Sequence, residues 1–262
     1  MDHNHTPSKR MTVWEHDRRG QFALEQEKTF LLQMTSAWRR RHRRMLQIEC
    51  GTGKFLEVFW EAGFDLTATA SSATDVHKAR ARIGHRAELH LAQSDDLPFE
   101  DRSFDYVLLL TTLDYCPHPQ KVIKEASRVC AKEMLISFLN KHSLYALSLA
   151  GPGSSTAHPR PHSWWSWPSL RSFLAHSLGP RLICAKGGIL PGPYWTWQPK
   201  PVCQILNSAL CPTLFGAYCG LRLDMTADPL INPLPAWVHQ PKPSAPYSNR
   251  VRGGHQIPSR ER

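Results

Sequence analysis

Apolar and polar positions alternate along this chain with two distinct periods. Between Phe22 and Trp38 the residues Phe22, Leu24, Phe30, Leu31, Met34 and Trp38 recur at helical spacing, which predicts a helix over 22–38. The short apolar run from Met45 to Cys50 predicts a first strand. A helical pattern follows from Lys54 to Ala62, with Gly63 placed to cap it. Phe64 to Ala70 predicts a second strand, Thr74 to Ile83 a second helix that Gly84 ends, and Ala87 to Ala92 a third strand. Phe104 to Leu110 is almost wholly apolar between polar loops, the pattern of a strand buried on both faces. Pro119 to Cys130 reads as a helix and Met134 to Leu139 as a fifth strand. Short strands alternating with helices of about ten residues predict βαβ crossovers and an α/β fold with a parallel sheet.

After Ser143 the periodicity weakens. Gly151 to Pro161 is a turn-rich linker. A Trp-dense segment from His162 to Pro168 leads into a helix over 169–178. Arg181 to Lys186 and Leu214 to Leu223 are strand-like. Residues 1–20 are polar without period and read as a loose arm, and beyond Asp228 the chain is Pro-rich, so no fold is assigned there. The predicted organisation is an arm over 1–20, one domain over 21–225, and a basic, Pro-rich tail over 226–262 without fixed structure.

Composition narrows the classes. A chain of 262 residues suits one large domain with extensions. It holds no apolar run of membrane-span length, and its Met-Asp-His-Asn-His start lacks the order of a signal peptide, so no membrane partner is expected. Seven cysteines without a CxxC pair read as the reduced thiols of a cytoplasmic protein. The net charge of +10 invites nucleic acid as a partner. Its sources, though, are Arg39 to Arg44, a solvated lead-in to the first strand, and the tail from Lys242. Nucleic acid is therefore the lesser expectation.

Candidate chemistry begins at Gln47-Ile48-Glu49-Cys50-Gly51-Thr52-Gly53-Lys54, a strand, a Gly-x-Gly turn and a helix start. Such a turn lets a polar ligand approach backbone N–H groups. A P-loop would need Gly at Ile48 and Ser or Thr at Phe55, and a dinucleotide fingerprint would need Gly at Leu56. Neither pattern fits. The turn resembles motif I of the class I S-adenosylmethionine (SAM)-dependent methyltransferases. Two further blocks extend the resemblance. Ser94-Asp95-Asp96-Leu97-Pro98-Phe99-Glu100-Asp101-Arg102-Ser103-Phe104-Asp105 is similar to that family's DAExLPFxDxSFD signature. Leu113 to Pro119, followed by Glu125-Ala126-Ser127-Arg128-Val129, resembles its LEHVxDP and ExxRV elements.

The resemblance implies a Rossmann-like, seven-stranded sheet, mostly parallel and closed by a C-terminal antiparallel hairpin, with helices on both faces. It implies SAM as cofactor and methyl transfer to a small-molecule acceptor. Gln47, Glu49, Gly51, Thr52 and Gly53 would hold the amino-acid part of the cofactor, and Ala70 and Ser71 would face its ribose. Gln93, Ser94, Asp95 and Leu97 would surround the adenine, and Thr111 and Leu113 the methyl-donor side. The departures are Gln47 for an acid, Glu49 for a loop Gly, Ala70 for the ribose-binding acid and Gln93 for the adenine-binding Asp, though the Gln93 carbonyl can still accept that hydrogen bond. Losing a charge-assisted ribose contact lowers affinity by about 1.5–3 kcal/mol. These departures keep open a non-catalytic binding or scaffold protein of the same fold, and the basic runs keep open an RNA methyltransferase.

Other candidates are weaker. Cys116 and His118 lack the spacing of paired zinc ligands, so no metal is expected. Cys50 beside a helix N-terminus is a candidate for a lowered pKa. Trp164, Trp165, Trp167, Tyr194, Trp195 and Trp197 could line a pocket or fill a core. His142, in the loop after the fifth strand, is the one candidate general base.

Overall fold

The apolar run over 104–110 becomes a central strand of the sheet. The computed structural model describes residues 17–150 and 161–226. The strands are β1 (Arg44–Ile48), β2 (Asp65–Ala70), β3 (Ala87–Leu91), β4 (Phe104–Leu110), β5 (Cys130–Leu139), β6 (Ile183–Ile189) and β7 (Tyr218–Asp224). They form one sheet in the order β3-β2-β1-β4-β5-β7-β6. The first five run parallel, while β7 is antiparallel to both β5 and β6. The chain therefore walks outward from β1 to β3, crosses back to β4, and continues the other way. The seam between β1 and β4 is the switch point, where loops leave in opposite directions and open a crevice at the carboxyl ends.

Helices α1 (Arg18–Met34), α2 (Lys54–Glu61), α3 (Ala73–Ile83), α4 (Thr112–Tyr115), α5 (Pro119–Val129), α6 (Leu144–Ala150), α7 (Trp167–Leu178) and α8 (Pro201–Ser208) complete the described fold, with a 3-10 turn at Tyr194–Thr196. Alternate strand residues feed two cores. Met45, Leu66, Ala68, Tyr106, Leu108 and Leu135 pack with Phe30, Leu31, Leu56, Phe59 and Ala79 from α1, α2 and α3. Leu46, Ile48, Val107, Leu109, Met134 and Ile136 pack with Val122, Ile123, Leu170 and Leu174 from α5 and α7.

Several boundaries differ from the pattern. Helix α1 starts at Arg18, inside the predicted arm, and ends at Met34. Trp38 is buried outside it, because its ring stacks on Tyr106 at 4.3 Å and not because it follows the helical period. Strand β5 starts four residues early, at Cys130, directly from α5. Strands β6 and β7 lie later than 181–186 and 214–223, since their register is set by pairing with each other and with β5. The short helix α4 and the helices α6 and α8 were not predicted. The linker over 151–160 and nearly all of the tail lie outside the described residues.

Candidate functional site

The turn after β1 is built from left-handed backbone. Glu49 has φ +56, Gly51 φ +54 and Gly53 φ +78, where it caps α2. Cys50 N–H donates to the Thr69 carbonyl at 2.8 Å, tying the turn to β2, and Gly53 N–H donates back to the Cys50 carbonyl at 3.0 Å. The two glycines differ in their surroundings. A Cβ on Gly51 would meet nothing within 4 Å, whereas one on Gly53 would lie 3.1 Å from the Ala79 Cβ in α3. Gly51 thus leaves room above the turn, and Gly53 lets α3 approach it.

That room belongs to a cavity of about 300 Å³ at the carboxyl ends of the strands. Gln47, Glu49, Gly51 and Thr52 line it from β1 and its turn, Ser71 and Asp75 from beyond β2, Gln93 and Ser94 from beyond β3, and Thr111, Thr112 and Tyr115 from beyond β4. Thr112 Oγ1 donates to the Ile48 carbonyl at 3.1 Å and so pins the end of β4 to the end of β1. Thr111, with φ +54, is held by donating its N–H to Ser137 Oγ at 3.0 Å.

Two polar atoms in this lining are buried without a protein partner, Gln47 Oε1 and Thr52 Oγ1. A third group is partnered: the Glu49 carboxylate accepts from Ser71 N–H at 3.2 Å and Ser71 Oγ at 3.1 Å. Burial raises the Glu49 pKa, while the Ser71 hydrogen bonds oppose the rise.

Eight of the predicted cofactor residues meet here: Gln47, Glu49, Gly51, Thr52, Ser71, Gln93, Ser94 and Thr111. Five lie elsewhere. Gly53 faces α3, and Ala70 is 1% exposed within the core under α1 to α3. Asp95 is half-buried outside the lining. Leu97 and Leu113 are buried in the core under α5 and α7. His142 is exposed, and only its backbone N–H is tethered, to Asn140 Oδ1 at 3.0 Å.

The thiol of Cys50 is not activated. Burial, followed by the nearby Glu49 and Asp75 charges, pushes its pKa up to about 12. None of the aromatic cluster lines the cavity; all of it packs except Trp195, which is exposed. Trp165 Nε1 donates to the Leu113 carbonyl at 3.3 Å, and Trp197 stacks on Tyr145 at 4.8 Å. Among the described residues no group of three or more His, Cys, Asp or Glu stands together as a metal site. No described helix is long and apolar enough to cross a membrane.

Sequence reasoning missed Asp75, Thr112 and Tyr115 as lining. The available signal was positional: each lies within five residues of a strand's carboxyl end. Helix α4 brings Tyr115 round to the cavity, and a four-residue helix leaves no period to detect.

Comparison with known proteins agrees with this geometry. Residues 46–138 match the family model of a methyltransferase domain. An uncharacterised protein of Methanocaldococcus jannaschii is 31% identical over 104 residues, 38% of this chain and 46% of that protein. The malonyl-[acyl-carrier protein] O-methyltransferase of Erwinia billingiae is 32% identical over 117 residues, 44% of this chain and 46% of that protein. The chain thus spans about half the length of the curated relatives it matches. Among solved structures, the magnesium protoporphyrin IX methyltransferase of Synechocystis PCC 6803 with bound SAH has a TM-score of 0.61 at 14% identity, over 84% of this chain and 95% of that chain. A SAM-dependent methyltransferase from Aquifex aeolicus has a TM-score of 0.57 at 14% identity, over 84% and 98%. At such identities the likeness to the solved structures is one of fold.

Proposed function

We propose that this chain, whose residues 46–138 match the family model of a methyltransferase domain, is a class I SAM-dependent methyltransferase that binds SAM in the carboxyl-end cavity and transfers its methyl group to a small-molecule acceptor. The observation that carries the reading is the pair of orphaned polar atoms beside the open backbone of Gly51. A buried acceptor without a partner is destabilising until something donates to it. Gln47 Oε1 is an acceptor only, so it suits the ammonium of an amino acid. Thr52 Oγ1 both donates and accepts, so it suits the adjoining carboxylate. The residues present therefore fit the amino-acid portion of SAM, with neutral Gln47 giving a weaker ammonium contact than an acid would.

SAM, when bound, supplies an electrophilic methyl group on sulfonium. The chain's own part is positioning, which is the larger share of catalysis in an in-line transfer. Gln47, Thr52 and the Gly51 backbone hold the amino-acid end. Thr111 and Thr112, fixed by Ser137 and Ile48, shape the wall beyond β4, where Tyr115 gives the acceptor an apolar face with a polar tip. Burial, with Asp114 nearby, raises the Tyr115 pKa well above its usual value, so its hydroxyl stays protonated at neutral pH. Of the relatives named above, the one for a porphyrin supports a small-molecule acceptor, and the one for malonyl-[acyl-carrier protein] a small acyl group carried on a protein.

Calorimetric titration with SAM and S-adenosylhomocysteine tests the cofactor, with saturable binding of both expected. Label transfer from methyl-labelled SAM to a panel of small acids, phenols and amines tests the activity. A folded protein that binds neither nucleoside overturns the reading. Binding without transfer to any acceptor favours a non-catalytic role, which the glutamate in the loop also accommodates.

A further inference from the structure

Glu49 sits in a backbone conformation that glutamate seldom adopts, φ +56 at the end of β1. The turn carries its carboxylate sideways to the neighbouring strand. Ser71, immediately after β2, donates both its N–H and its hydroxyl to Oε2. Ser94, after β3, lies near enough to the carboxylate to favour its charged form. A side chain rooted on one strand is thus anchored over the next.

The sheet order explains what that position faces. The cavity runs across the ends of β3, β2, β1 and β4, a trough roughly 14 Å long at about 4.8 Å per strand. Gln93 and Ser94 stand at the β3 end, Gln47 and Thr52 at the β1 position, and Thr111 and Thr112 at the β4 end. The Glu49 carboxylate lies between the first two groups, over the end of β2. An ionised carboxylate has two oxygens and about four lone-pair sites, so the two Ser71 bonds leave it capacity to accept two more from a ligand. Two adjacent acceptor oxygens in a partly buried site match two adjacent hydroxyl donors. In an adenosyl ligand lying along the trough, the ribose joins base to amino-acid part, and it carries the one vicinal diol.

We infer that Glu49 is the receptor for the ribose diol, reaching from the β1 turn over the end of β2; this rests on the adenosyl ligand proposed above. It gives the strained glutamate a binding role, where the sequence reads only as a departure from glycine. It also removes Ala70 from that role, because Ala70 is buried in the core. Asp75, in the first turn of α3, is the other carboxylate of the lining and the competing receptor.

The test is calorimetry on the full chain with S-adenosylhomocysteine and its 2′,3′-dideoxy analogue, using wild type, Glu49→Gln, Glu49→Gly and Asp75→Asn. All four proteins are first checked for native circular dichroism. Wild type should prefer the diol-bearing ligand by tenfold or more. Both Glu49 variants should lose roughly ten- to a hundredfold in affinity for S-adenosylhomocysteine and bind the two ligands nearly equally. Asp75→Asn should keep the wild-type preference. Equal or tighter binding by Glu49→Gly would make the side chain a plug and overturn the inference. So would a diol preference that survives in the Glu49 variants or disappears in Asp75→Asn. These outcomes leave the adenosyl site itself standing. A folded wild type that binds neither ligand overturns the site, and the inference with it.

Discussion

Two glycines with one residue between them meet different surroundings. Gly51 faces open space and Gly53 faces the backbone and Cβ of Ala79, at 3.2 and 3.1 Å. Both have positive φ, so a side chain at either carries about 1–2 kcal/mol of backbone strain. Gly53→Val adds overpacking against α3, for a total loss of about 2–5 kcal/mol in urea unfolding. Gly51→Val should lose about 1–2 kcal/mol and yet abolish binding of S-adenosylhomocysteine, because its branched Cβ fills the ligand's space. Normal affinity in a folded Gly51→Val protein would place the ligand elsewhere. The sequence motif names both glycines alike. Which neighbour each one admits depends on the packing of α3, some twenty-five residues further on, and no local pattern encodes that.

At the level of elements, the second and third sequence blocks are held together by one side chain. Arg128 on α5 donates to the carbonyls of Phe99 at 2.7 Å and Leu97 at 3.0 Å, and pairs with Asp101 and Glu125 at 2.8 Å each. Glu125 in turn accepts from Leu97 N–H at 3.1 Å. The apolar loop of Leu97 to Phe99 is therefore clasped to α5, and these loop residues serve as framework for the site and not as contacts in it. Arg128→Ala should lower stability by about 2 kcal/mol. Arg128→Lys should lower it by about 1 kcal/mol, because lysine keeps the charge but not the forked donors. Hydrogen bonding from Arg128 holds the Glu125 pKa below its ordinary value of 4.5. The clasp's contribution is thus present above pH 4.5 and lost as the pH falls through the lower, folded-state value. Acid unfolding should begin at higher pH in the Ala variant, and coincident acid transitions would show that the clasp contributes nothing. Much of this level was legible in advance. The run over 104–110 was placed to the residue, since burial on both faces leaves an apolar signature broken only at Asp105. The start of β5 was missed because Ala131, Lys132 and Glu133 read as loop, and it is pairing with β4 and β7 that makes them strand. The reach of Glu49 to Ser71 was not legible, because a side chain crossing between strands follows no period.

Over the whole molecule, buried charge links the far helix to the cavity. Glu27 on α1 is buried, and desolvation raises its pKa from 4.5 to about 8, with Lys54 at the cavity opposing the rise. A carboxyl whose folded pKa is raised stabilises the fold at low pH and progressively loses that contribution as pH rises from about 4.5 to about 8. Wild-type unfolding free energy should fall across that window. Glu27→Gln should reduce that fall, leaving the slope from buried Asp114, whose pKa is also raised by desolvation. Identical slopes would show that Glu27 does not titrate in the fold. The basic run of residues 39–44 leads into the amino end of β1, and there Arg43 pairs with Asp105 at 2.9 Å. The cavity lies at the opposite end of that strand, about 16 Å away for five residues. A polyanion held by this run would sit on the wrong side of the sheet to offer an atom for methylation. This weighs against RNA as the acceptor.

The crossover between β1 and β4 also bears on how the chain is made. β1 emerges from the ribosome early, but its partner β4 follows only after the whole β2–β3 excursion. At about 5–20 residues per second that excursion takes several seconds. Throughout that interval the apolar edge Met45-Leu46-Gln47-Ile48 has one flank unpaired, open to any other nascent strand. Translation that stalls before Leu110 would therefore release a sticky half-sheet. Chaperone capture should accordingly peak on nascent chains of that length and decline once β4 has paired.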